Sequence, residues 1–310
     1  MFTKHNEKNH ADSAPTKQMP VEFIQLAKEL NTEGFIPGPH EAENLFYARV
    51  VFCRNLKDCF EELTGFKSPE IDSISLSNTY LNEALPDTEE LYGIKPSWVP
   101  LIFSNKKLSP WHGGCAWIFQ SNKNGSTAAF LQLRLYFQNA PLFLKIYSRK
   151  ELITHELAHT GRMMYQEPLY EEIHAYQSSP SSLRKWLGPI FSSQKESTIF
   201  ISLLFLIVTA DFLTLFLDNS FGEIAEWLRV VPIAYFSWLL AALYQRHQTY
   251  KKCLSNLKEL YPEREAKHLL YRLSDSEIIT FSHLTPSGIR EFIKQASLTS
   301  FRWRFLQEVY

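Results

Sequence analysis

The sequence predicts an α+β protein: a mainly helical soluble domain with a small β-sheet, then a two-helix transmembrane hairpin, then a helical C-terminal region. Three patterns lead there. Apolar residues recur at helical spacing in VEFIQLAKEL and ENLFYARVVFCRNLKDCFEEL, strand-like runs flank a polar turn in CAWIFQSNKNGSTAAFLQLRLYF, and long apolar stretches follow at 198–217 and 228–244. With 45% hydrophobic residues in 310, the chain has material for a sizeable core. The formal net charge of −1 gives no basic field for nucleic acid and no acidic excess of a disordered, solvating chain. Cys53, Cys59, Cys115 and Cys253 show neither CxxC nor disulfide-framework spacing. They read as reduced thiols in a cytosolic setting, used as small core hydrophobes.

In chain order, residues 1–20 (MFTKHNEKNHADSAPTKQMP) are polar and lack an apolar h-region, so a disordered tail is expected there and not a signal peptide. The soluble domain is expected over 21–177. In its second helical run Phe46, Val50, Cys53 and Leu56 fall on one face that Phe60 continues, as in a core-forming helix. Further on, Ala129, Leu131, Leu133, Leu135 and Phe137 alternate with Phe130, Gln132, Arg134 and Tyr136. That is the period of a half-buried strand, the second arm of a β-hairpin turning at Asn124 and Gly125.

The stretch that carries chemistry is YSRKELITHELAHTGRMMYQEPLYEEIHAY, residues 147–176. Ser148 with Glu151 three residues on, ahead of Leu152 and Ile153, is a capping box, so a helix is expected from Arg149. His155 and His159 are one turn apart, leave the same face and can reach a single cation. Glu156, beside the first histidine, is placed to take a proton from water activated there and not to coordinate. Gly161 offers a stop, and Pro168 offers the first position of a second helix carrying LYEEIHAY.

A catalytic zinc takes three protein ligands and leaves one position for water, so a third ligand is sought on that second helix. Glu171 and Glu172 are the two choices, and consecutive helical residues diverge by about 100°, so one of them faces the metal. Glu172 is favoured because Ala175 keeps a small residue on its face, whereas Glu171 shares its face with His174. His174 is expected as a hydrogen-bonded surface histidine. Tyr165, Tyr170 and Tyr176 are candidate oxyanion donors, with packing the commoner role for each.

HELAH at 155–159 resembles the motif of the zincin metallopeptidases, and the later glutamate brings it nearer the gluzincin branch. The absence of a third histidine in an HExxHxxGxxH arrangement sets it apart from the metzincins. The resemblance covers residues 147–176 and implies a zincin-like domain whose edge strand runs along the cleft. It implies Zn2+ held by His155, His159 and Glu172, with Glu156 as general base. The expected activity is hydrolysis of a peptide or protein substrate, whose strand would pair with the edge of the Ala129–Phe137 strand. The contrasting expectation is a membrane-anchored scaffold or interaction protein with a structural or accidental motif, which has no need of Glu156.

Beyond the domain, a Ser-rich connector is expected at 178–197. The run at 198–217 has the length that crosses a hydrocarbon core, with Asp211 its only charge, expected to hydrogen-bond to the neighbouring helix. The run at 228–244 is shorter and contains Pro232. It is read as the second span, with a buried or re-entrant helix as its rival. Arg184, Lys185 and Lys195 precede the first span, Arg246, Lys251 and Lys252 follow the second, and Arg229 stands alone between them. Positive-inside bias places both termini and the catalytic domain in the cytoplasm. Arg149, Lys150 and Arg162 around the motif put the centre in water. Over 251–310, Ser274 with Glu277 and Thr285 before Pro286 are helix starts, so a helical packing or partner-binding unit is expected.

Overall fold

The computed structural model describes residues 21–109, 112–121, 125–143, 147–215 and 226–310. The tail expected at 1–20, the turn residue Asn124, the last two residues of the first apolar stretch (216–217) and most of the link that follows (218–225) lie outside the described residues.

Helices α1 (Val21–Thr32), α2 (Glu43–Arg54), α3 (Phe60–Thr64) and α4 (Ser73–Tyr92) open the fold. Strands β1 (Leu101–Phe103), β2 (Gly114–Gln120) and β3 (Thr127–Leu133) form a sheet in the order β1-β3-β2. The hairpin is present: β2 runs antiparallel to β3 with Trp117 opposite Phe130. The expected half-buried strand is not. β3 is the central strand, parallel to β1 on its other side, and Ala128 to Leu133 are all buried. Leu135 and Phe137 lie past its end, in and before a single turn, α5 (Tyr136–Asn139). With α2 and α6 packed on β3, both its faces are covered, so its alternation does not sort inside from outside. Its edges are both taken, and the edge strands of the sheet are β1 and β2.

A short ribbon, β4 (Leu142–Phe143) with β5 (Tyr147–Ser148), leads into α6 (Arg149–Gly161), followed by α7 (Glu171–Ala175) and α8 (Ser182–Leu187). The second helix of the motif region is therefore shorter than expected: Tyr170 is its N-cap, and Pro168 lies outside it.

Helices α9 (Gln194–Leu213) and α10 (Val230–Lys258) are long and apolar enough to cross a membrane. Only 6% of the apolar window of α9 is buried by protein, unlike the core helix of a soluble domain. Phe205 and Val208 are 72% and 65% exposed. Asp211 is ion-paired at 2.9 Å with Arg229, the N-cap residue of α10.

α10 does not stop at 244. It runs on to Lys258, and Leu243, Arg246, His247, Cys253 and Leu257 face the protein interior. The region at 251–310 is helical, as expected, and it packs on the rest of the fold. Together with α11 (Glu263–Tyr271), α12 (Asp275–His283), α13 (Pro286–Thr299) and α14 (Phe301–Val309), this half of α10 belongs to one hydrophobic core extending from Ala27 to Leu306. Arg272 pins the two ends of the chain together: fully buried, it donates to Asn31 Oδ1 at 2.7 Å and to the Tyr92 carbonyl at 2.7 Å. The capping box at Ser274 and Glu277 and the Thr285–Pro286 start are both formed.

Candidate metal centre

Helix α6 begins as its sequence dictates, with the Ser148 hydroxyl accepting from the Glu151 N–H at 3.0 Å. Only this half of the capping box forms, because the Glu151 carboxylate is drawn to Arg184 at 2.9 Å. Ile153, Leu157, Ala158 and Thr160 turn into the core and fix the helix against β2, β3 and α4. His155 and His159 are left facing a cleft, their ring centroids 5.1 Å apart.

Gly161 ends α6 through packing and not through a left-handed turn. A Cβ there would lie 2.3 Å from the Tyr271 hydroxyl oxygen, which donates to the Ala158 carbonyl at 2.5 Å. The absent side chain lets α11 approach.

Across the cleft, α7 presents both glutamates, which separate into two roles. Glu172 Oε2 lies 3.6 Å from His155 Nε2, and Glu172 Oε1 lies 3.6 Å from His159 Nε2. One ligand atom from each of His155, His159 and Glu172 can be chosen so that all lie within 4.8 Å of one another, and this group is able to hold a metal ion. Ligand atoms around a tetrahedral zinc stand about 3.4 Å apart, so little movement separates this arrangement from a bound cation.

Glu171 points elsewhere. Its Oε1 is 3.1 Å from His159 Nδ1, and its Oε2 accepts from Arg162 Nε at 2.7 Å. Arg162 is not the exposed flanking charge the sequence suggests: its side chain is fully buried and also donates to the carbonyls of Tyr271 and Leu273. His155 is steadied in turn by a hydrogen bond to the Ala175 backbone. Contacts of this kind orient imidazoles toward a metal.

His174 and Ala175 are both buried, so the small residue expected beside Glu172 does not distinguish the two glutamates. His174 is no surface residue. It packs edge-on to Tyr250 and Tyr271, and its Nδ1 meets the Tyr250 hydroxyl at 3.2 Å. What separates Glu171 from Glu172 is Arg162, three residues after His159 at the C-cap of α6, a spacing that the sequence does display.

Glu156 is 8% exposed, and its Oε2 accepts from the Ala116 N–H of β2 at 2.8 Å. Burial raises its pKa, while the neighbouring His159 charge lowers it. Burial pushes His155 down to about 3 with the help of the His159 charge. His159 is opposite: burial works against its charge, yet the carboxylates of Glu172 and Glu171 hold it up to about 10. The cluster thus favours a positive charge at His159, where a proton and a metal cation are alternatives.

The cleft, about 770 Å3, is walled by the open edge of β2 through Gly114, Ala116 and Ile118. Cys115 lines it too, so it is not the core thiol expected. Of the three tyrosines, Tyr176 alone is here, edge-on to the His155 ring at 4.8 Å, with burial pushing its hydroxyl up to about 12. Tyr165 donates to the Arg272 carbonyl, and Tyr170 stacks on Tyr250 in the core.

Compared with known proteins, the chain matches no family model, no curated protein and no solved structure.

Proposed function

We propose that the protein is a membrane-anchored, zinc-dependent metallopeptidase in which His155, His159 and Glu172 hold Zn2+ and Glu156 is the general base. The observation that carries this reading is the pairing of a three-ligand cluster with a buried carboxylate that takes no part in it. Glu156 is held by β2 beside the cluster. A site that only fastened a metal would gain nothing from an ionisable group kept there against its desolvation cost.

When bound, the cation polarises the scissile carbonyl and lowers the pKa of water toward about 7. The chain supplies the rest. Glu156 Oε2 is occupied by the Ala116 N–H, which leaves Oε1 to take the proton from the attacking water and return it to the leaving amine. Tyr176, protonated at neutral pH, is the donor on this side of the cleft for the developing oxyanion.

The substrate strand pairs with β2 and not with β3, whose edges are filled. The Ala116 N–H points out of the sheet toward Glu156, so by antiparallel alternation the main-chain groups of Gly114 and Ile118 also face outward. They offer a peptide backbone hydrogen bonds without strict sequence choice.

In the same reading α9 and α10 form a transmembrane hairpin. The segments flanking it share one core, which suits insertion from one side, and the lysine and arginine bias assigns that side to the cytoplasm. Metal analysis of the purified full chain tests the centre: about one zinc per chain is expected, lost in both His155→Ala and His159→Ala because two ligands hold zinc weakly.

A further inference from the structure

The space at the metal centre does not end at α7. It continues into a cavity of about 870 Å3 lined by His159, Glu171 and Glu172 at one end and by Ser193, Ser197 and Ile201 at the other. This cavity and the one along β2 share His159, Glu172 and Tyr176, so the two are parts of one groove.

The far wall is the start of α9. Ser193 is its N-cap, and Gln194, Ser197 and Thr198 make its first turns. Ile201 lies inside the apolar stretch and is 60% exposed. At 1.5 Å per helical residue, Gln194 to Ile201 spans about 10 Å. Along the groove the lining therefore changes from imidazole and carboxylate, through hydroxyl and amide groups, to an aliphatic side chain at the start of the apolar stretch.

A polypeptide that emerges from a membrane presents the matching order: an apolar span, an interfacial polar stretch, then extended chain. Resting on the metallopeptidase reading, we infer that the substrate is the juxtamembrane segment of a membrane-anchored polypeptide, which enters beside α9 and reaches the centre along β2. A freely soluble peptide has no use for the α9 wall, and a lipid has none for the open edge of β2. At about 3.3 Å per extended residue, a wall this long and the width of the cleft set the cut within roughly ten residues of the anchor.

The test uses the full chain in phosphatidylcholine vesicles with zinc and three probes that carry the same randomised segment. One has the segment next to a single-span anchor, one has it beyond a flexible linker of about 30 residues on the same anchor, and one has no anchor. The near probe is expected to be cut at least about tenfold faster than the distant one, beyond what confinement to the membrane supplies, with cuts mapping within roughly ten residues of the span. A second readout needs no turnover: on Glu156→Gln, a photoreactive leucine at the span end of the near probe should cross-link within residues 193–201.

Equal cutting of the near and distant probes, or of the soluble one, overturns the inference and leaves the peptidase reading standing. So does cross-linking that maps away from α9. No cutting of any probe by zinc-loaded protein overturns the peptidase reading and this inference with it.

Discussion

His159 Nδ1 and Glu171 Oε1 stand 3.1 Å apart, and this contact, anchored by Arg162 behind it, turns the other nitrogen of the ring toward Glu172 and His155. It gives adjacent glutamates different predicted phenotypes. Glu172→Gln removes a proposed ligand and should abolish stoichiometric zinc binding. Glu171→Gln keeps the hydrogen-bonding shape but loses the charge, and should weaken zinc by about 10- to 100-fold while binding stays complete at excess metal. Chelator competition separates the two. Equal losses would erase the distinction.

Zinc uptake should release protons. His159, held at about 10 by Glu172 and Glu171 despite burial, carries a proton at neutral pH that metal must displace, whereas His155, at about 3, is already neutral. Binding at pH 7 is therefore expected to release about one proton from the pair, and affinity to rise about tenfold per pH unit between pH 6 and 9. Calorimetry in buffers of different ionisation enthalpy measures this. For the metal-free protein the sign is opposite. A pKa raised on folding stabilises fully below the unfolded value near 6.5 and loses that stabilisation as pH climbs toward 10. Its melting temperature should thus fall across this window, and a rising one would contradict the assignment of the proton to His159.

The elements legible in the sequence are those whose causes are local. The Ser148 cap, the shared face of His155 and His159, and the β2–β3 hairpin are each set by residues near one another in the chain. What is not legible depends on distant partners. Arg162 reads as a surface charge until the carbonyls of Tyr271 and Leu273 close over it. β1, three residues long, has no periodicity to display and shows itself only by pairing with β3. Pro86 inside α4 and its Ser-rich start obscure a helix of 20 residues. The continuity of α10 is the reverse case. Its apolar and amphipathic halves suggest two elements, but nothing from Ala234 to Lys258 breaks a helix, and its far half is buried by α12.

The contact of Gly161 with Tyr271 predicts a coupled pair. Gly161→Ala puts a methyl group 2.3 Å from the Tyr271 hydroxyl and 2.8 Å from Ile94 Cδ1. Destabilisation of about 1–3 kcal/mol is expected in thermal or denaturant unfolding. Tyr271→Phe, which opens space at the cost of one hydrogen bond, should restore part of it. Strictly additive effects would mean that the helices separate instead.

The shared core and the charge bias together predict sidedness. Lys150 and Lys267 lie in segments packed into one core, so protease protection in sealed vesicles should place both on the cytoplasmic face. Finding them on opposite sides would remove the hairpin.

Glu156 sits at the centre of the account, and the most direct measurement takes zinc content and peptide hydrolysis from the same preparations of wild type and Glu156→Gln. The amide can still meet the Ala116 N–H through its oxygen but cannot take a proton. Zinc should stay near one per chain in both, while hydrolysis of a mixed peptide library falls by about a hundredfold or more in the variant. A wild type without metal under reducing, chelator-free conditions, or a variant that hydrolyses as well as wild type, would contradict the enzyme reading and leave a membrane-anchored scaffold in its place.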